Sequence, residues 1–229
     1  MIPIRDINPS RSFPVVNVSL IVICSLIWIH EWRLTDRVIL TFEGPVSAFE
    51  VFIRKYGLVP VEILERPYTL FTHMFLHGGW FHIIGNMWFL WVFGDNVEDR
   101  LGRFRYLVFY LTCGLGAALA QTSVSLLFGG GNVPMVGASG AVSGVLGAYM
   151  RMFPHARVLA LVPVFFFLTF VEIPALVFIG LWFLVQIVNG IISLPAVGLG
   201  GVAWYAHIGG FLVGYFLIGR FLEGRRYYY

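Results

Sequence analysis

From Tyr106 to Met150 the chain carries no formal charge, and a second charge-free run extends from Ile173 to Gly219. Each run is too long for a single bilayer crossing of roughly 20 residues. Backbone in such runs must satisfy its hydrogen bonds internally, which restricts them to helices or a closed barrel. Glycine and proline clusters at Gly129-Gly-Gly-Asn132, Pro134 and Pro195 divide the runs into helix-length pieces. The whole chain agrees: of 229 residues 59% are hydrophobic and 12% charged, with a mean hydropathy of +0.83. An integral membrane protein follows, against the roughly 25% charge of a soluble domain. A net charge of +3 with no basic patch excludes a nucleic-acid binder. Cys24 and Cys113 both lie in apolar segments, so neither a disulfide framework nor a thiol-ligated metal is indicated.

A polar leader with Arg5 and Arg11 precedes the charge-free run Ser12 to His30, read as an uncleaved first helix. The run is long for a signal peptide and ends in Trp28-Ile-His-Glu-Trp32 without a small-x-small cleavage site. Residues 33–77 read as a folded extramembrane loop with short amphipathic helices. The stretch Val158 to Phe170 contains Pro163 and is short for a span, so it is expected to be an interfacial or re-entrant piece packed against the bundle. The expected fold is an all-α integral membrane protein. It is one domain over residues 1–229, with six transmembrane helices near 14–32, 78–95, 104–128, 139–152, 173–193 and 201–220. With six crossings, Arg5, Arg11, Arg100, Arg103, Arg105, Arg151, Arg157, Arg220, Arg225 and Arg226 share one side. That side is cytoplasmic by the positive-inside rule, with both termini on it, in a multi-pass protein of the cell (inner) membrane.

Depth can be counted from the charged helix ends at about 1.5 Å per residue. Ser139 stands roughly 18 Å from the level of Arg151, His207 roughly 20 Å from Arg220, and His82 and Asn86 roughly 20 and 14 Å from Asp95. Three helices thus bring a serine, two histidines and an asparagine to one layer, where polar side chains need partners or a wet cavity. A single Ser or His there is ordinary interhelical hydrogen-bonding material. Four at one depth are expected to form a site. Gly140-x-x-x-Gly144 with Gly147, and Gly210-x-x-x-Gly214, permit the helices bearing Ser139 and His207 to approach closely.

A hydroxyl against an imidazole is the nucleophile and base arrangement of acyl transfer. No carboxylate lies at this level, so a dyad is expected in which His207 takes the Ser139 proton and later protonates the leaving amine. Asn86, His82 and the Ser139 backbone N–H are expected to stabilise the oxyanion. Gly137, Ala138 and Gly140 are assigned to substrate binding.

Gly137-Ala-Ser-Gly140, Ala206-His-Ile-Gly-Gly210 and His77-Gly-Gly-Trp-Phe-His82-Ile-Ile-Gly-Asn86 resemble the three signature segments of rhomboid intramembrane serine proteases. Glu98-Asp-Arg-Leu-Gly102 resembles their acid-and-arginine segment after the second helix. The resemblance runs through essentially the whole chain and is to the simple six-helix prokaryotic type. It implies a Ser139 and His207 dyad assisted by His82 and Asn86, no metal or cofactor, and cleavage of single-pass transmembrane proteins within the lipid bilayer. Two departures stand out. Tyr68-Thr69 replaces a Trp-Arg pair in the first loop, and Ser143 replaces an aromatic one turn after the serine, leaving Trp204 or Tyr205 to hold His207. Aromatics from Phe165 to Phe183 are candidates for a lateral gate against the second helix. A transporter, or a haem protein ligated by His82 and His207, would use the same polar layer without proteolysis.

Overall fold

A computed structural model describes residues 1–41, 44–164 and 166–222; Phe165, Arg225 and Arg226 lie outside the described residues. β1 (Ile2–Asp6) precedes α1 (Val15–Leu34). The next segment holds a hairpin of β2 (Val38–Thr41) and β3 (Gly44–Ser47), the helix α2 (Ala48–Tyr56) and one turn, α3 (Thr69–Thr72). Then come α4 (Trp80–Leu101), α5 (Arg103–Leu127) and α6 (Ser139–Met152), the strands β4 (Arg157–Val164) and β5 (Phe167–Pro174), and finally α7 (Ala175–Ser193) and α8 (Trp204–Leu222). Four described segments are long and apolar enough to cross a membrane: Val15–Leu34, Arg103–Leu127, Ala175–Leu199 and Trp204–Leu222.

α6 is the centre of the bundle. Its 14 residues reach only about 21 Å, and every residue from Gly140 to Tyr149 is buried by neighbouring helices. Small residues make this possible. A Cβ on Gly210 would fall on the carbonyl oxygen of Gly140, and one on Gly214 on that of Gly144, so α8 lies backbone to backbone against α6. On the other side, Gly140 and Gly144 face Ala117 and Cys113 of α5.

The buried Glu98 carboxylate fixes α1 to α4. It accepts the N–H groups of Val16 (3.0 Å) and Asn17 (2.7 Å), which as first-turn donors of α1 have no partner within the helix. Asn17 in turn donates to the Leu90 carbonyl and accepts from the Tyr106 hydroxyl, which ties in α5.

The all-α expectation needs correction. β1, β4 and β5 form a three-stranded antiparallel sheet in the order β1-β4-β5, and β2 pairs with β3. The stretch Val158 to Phe170, expected as an interfacial or re-entrant piece, belongs to the β4–β5 hairpin. Val158 and Ala160 point into the core while their neighbours do not. Because every residue from Val158 to Val164 is apolar, that period of two is invisible in the sequence. Pro163 lies beyond Leu161, the last β4 residue paired with β1, where its missing N–H costs no ladder bond on that side. Asp6 anchors the sheet, accepting from the Tyr149 hydroxyl of α6 (2.6 Å) and Asn96 Nδ2 of α4 (2.8 Å).

The segment between α1 and α4 is folded. Glu62 bridges Arg54 and Arg66, and Leu58 exchanges two backbone hydrogen bonds with Met135. At the first departure from the signature, the Tyr68 hydroxyl donates to the Lys55 carbonyl and Thr69 Oγ1 to that of Arg66. These bonds supply local anchoring in place of the Trp-Arg pair.

Candidate active site

Ser139 is the first residue of α6, after an N-cap, Ala138, that makes no side-chain cap bond. The Ser139 hydroxyl therefore does not cap the helix, and it makes no hydrogen bond among the described residues. Gly137 sets the approach. Its φ of +129° suits glycine, and a Cβ there would stand 2.6 Å from His82 Nε2 and 3.5 Å from Ser139 Oγ. The serine oxygen and the His82 ring thus flank one point. Gly137 N–H donates to the His73 carbonyl at 2.9 Å, which holds the loop against the α3 segment.

Ser139, His207, His82 and Asn86 line a single cavity of about 670 Å³. Pro134, Met135 and Val136 of the glycine-rich connection form part of its wall, with Trp80, Phe81 and Leu146 elsewhere. Gly137, Ala138 and Gly140 are not among the lining residues; all three are buried in the packing behind the serine.

Hydrogen bonds orient both rings. The Gly78 N–H donates to His82 Nδ1 at 3.3 Å, so a neutral His82 carries its proton on Nε2, as a donor on the Gly137 side. His207 Nδ1 lies 2.8 Å from Gln186 Oε1. The amide oxygen only accepts, so Nδ1 carries the proton and the Nε2 lone pair is left bare. Asn86 is buried, and its Nδ2 has no hydrogen-bond partner among the described residues. A buried unpaired donor costs about 1–3 kcal/mol, a penalty relieved when an acceptor enters the cavity. Where the signature aromatic is replaced, Ser143 Oγ donates to the Ser139 carbonyl at 2.6 Å. Trp204 and Trp182 flank His207, with ring centroids 6.0 and 6.1 Å away. Tyr205 is directed elsewhere, donating to the Gly190 carbonyl.

The Rhomboid domain family model matches residues 64–223. The chain belongs to the rhomboid family. Rhomboid protein 1, mitochondrial, of Saccharomyces cerevisiae is 31% identical over 112 residues, covering 48% of this chain and 32% of that protein. Rhomboid-like protein 11, chloroplastic, of Arabidopsis thaliana is 42% identical over 78 residues, covering 34% and 26%. RHOMBOID-like protein 4 of the same plant is 34% identical over 151 residues, covering 66% and 33%. The chain thus spans a third or less of the length of these relatives.

Two buried groups of this rhomboid escaped the sequence reading. Gln186 is an uncharged amide in a very apolar helix, and extending the depth count to the helix near 173–193 would have drawn attention to it. Glu31, near the end of α1, accepts the His77 N–H at 3.2 and 3.3 Å. It thereby fixes the turn from which Gly78 reaches His82, a contact with no local sequence signal.

His73, behind the serine loop, donates from Nδ1 to the Thr69 carbonyl, and burial pushes its pKa down to about 4. The unfolded chain, with a histidine pKa near ~6.5, binds this proton first. The His73 contribution is therefore fully present above about pH 6.5 and is lost as pH falls towards 4, by about 3 kcal/mol. His73→Gln keeps a donor for Thr69 but does not titrate. Relative to that variant, the wild type is expected to lose stability by this amount across the window, as read from thermal unfolding in mild detergent at a series of pH values.

Proposed function

We propose that the chain is an intramembrane serine endopeptidase that cleaves single-pass transmembrane proteins through Ser139 and His207. The observation that carries this reading is the shared cavity, which holds a serine hydroxyl, an imidazole whose bare nitrogen is Nε2, and two polar donors, Asn86 Nδ2 and His82 Nε2–H; neither the hydroxyl nor either donor is hydrogen-bonded to a protein group among the described residues. In the reaction, Ser139 Oγ bonds to the scissile carbonyl carbon as its proton passes to His207 Nε2. The oxyanion accepts from Asn86 Nδ2, His82 Nε2–H and the free first-turn amides of α6, beginning with that of Ser139. Collapse breaks the C–N bond, with the His207 proton going to the leaving amine. Water then attacks the acyl-enzyme with His207 again as base, releasing the acid and regenerating Ser139.

All six of the helices α1, α4, α5, α6, α7 and α8 are read as crossings, including the short α6, buried from Gly140 to Tyr149, and α4 with its charged last turns. Both termini then lie on the arginine-rich cytoplasmic side of the cell's inner membrane. Substrate approaches laterally between α4 and α7, which meet through Phe89, Phe93, Phe178 and Trp182. Protein reconstituted in liposomes with a single-pass substrate is expected to release a fragment that Ser139→Ala does not release. Equal cleavage by the variant would overturn the proposal.

A further inference from the structure

We infer that Gln186 is the positioning residue for His207, a neutral third member behind the Ser139 and His207 pair. This rests on the protease reading above. The sequence offers no carboxylate at the depth of the site, so a bare dyad was expected; the structure instead seats an amide where a triad would place an acid.

The assignment follows from what each atom is able to do. Gln186 Nε2 donates to the Trp182 carbonyl one turn earlier, at 2.9 Å. That bond decides the orientation of the amide, since the carbonyl accepts only from the NH2 end, and Oε1 is left facing the His207 ring at 2.8 Å. Gln186 is 4% exposed, so the contact is little screened by solvent. One side chain therefore selects the His207 tautomer and resists rotation of the ring, while Trp182 and Trp204 limit its tilt.

Charge separates this device from an aspartate. An ionised carboxylate would stabilise the imidazolium that forms during reaction, whereas an amide lends only its dipole. The groups facing His207 are His82 from α4, Ser139 from α6, Gln186 and Trp182 from α7, and Trp204 from α8. Of these, only His82 is able to carry a charge besides His207 itself. Changing residue 186 to an acid therefore introduces the one anion in the set, and the pH profile should register it.

The full chain in liposomes, as wild type, Gln186→Leu, Gln186→Glu and Ser139→Ala, provides the test, with kcat, KM, the pH dependence of kcat/KM and the unfolding midpoint measured for each. Gln186→Leu is expected to lower kcat about ten- to a hundredfold with KM within about twofold. Gln186→Glu restores an acceptor, and its acid limb is expected to move to higher pH by about one unit, with kcat above the limb within about tenfold of wild type. The assignment is overturned if Gln186→Leu retains wild-type kcat, or if the acid limb of Gln186→Glu does not move. Should Gln186→Leu not fold, the limb of Gln186→Glu decides alone. Cleavage by Ser139→Ala would instead refute the protease reading, whatever residue 186 does.

Discussion

Replacing His207 with alanine is expected to lower kcat/KM towards a transmembrane substrate by about four orders of magnitude while the bundle stays folded. Without the imidazole, the Ser139 hydroxyl has no group to take its proton. The other ring on the cavity, His82, does not substitute, because its Nδ1 accepts from Gly78 and its Nε2 bears the proton. What activity persists comes from the oxyanion donors and from substrate positioning. Folding is preserved because the contact between α6 and α8 is made by glycine backbones rather than by His207. The variant leaves Gln186 Oε1 unpaired, which is expected to cost about 1–3 kcal/mol and to show as a lower unfolding midpoint. Steady-state kinetics in liposomes check the first effect, and a loss below about tenfold would remove His207 from the role of base.

Gly210→Ala is expected to damage both stability and activity, although it adds one methyl group. The new Cβ falls on the Gly140 carbonyl oxygen, which belongs to the backbone and has no room to yield without moving a helix. Overpacking of this kind costs about 3 kcal/mol, offset by about 1 kcal/mol of helix propensity, for a net loss of about 2 kcal/mol. Separation of α8 from α6 also moves His207 away from Ser139, and a shift near ~1 Å lowers the rate about a hundredfold. Gly180→Ala is the control. Its Cβ meets nothing within 4 Å, so the same exchange in α7 is expected to be neutral or to stabilise by up to about 1 kcal/mol. Unfolding midpoints and cleavage rates of the two variants, measured side by side, separate the packing effect from propensity.

The polar layer was legible in the sequence because membrane burial makes polar groups rare. His82, Asn86, Ser139 and His207 stood out against apolar surroundings, their depths could be counted from charged ends, and the structure gathers them around one cavity. The glycine spacing of α6 and α8 was legible for the same reason, since close approach leaves few residue types available. The β4–β5 hairpin was not legible, because Val158 to Val164 is apolar throughout and alternation leaves no trace. Its partner β1 is a leader strand whose pairing with Leu161, Ala160, Leu159 and Val158 is fixed by tertiary contacts. The supports of the site were hidden for another reason. Gln186 meets His207 across two helices, and Glu31 meets His77 across a long loop, so neither pairing has a local pattern.

The most direct measurement is the position of the adduct formed when the protein, in its membrane, is treated with a serine-directed fluorophosphonate and digested for mass spectrometry. Attack by an activated hydroxyl on phosphorus expels fluoride and leaves a stable phosphonyl ester, and Ser139 is expected to carry it. Labelling should fall strongly in His207→Ala and vanish in Ser139→Ala. An adduct on another serine, or undiminished labelling of Ser139→Ala, would contradict the assignment of Ser139 as the nucleophile.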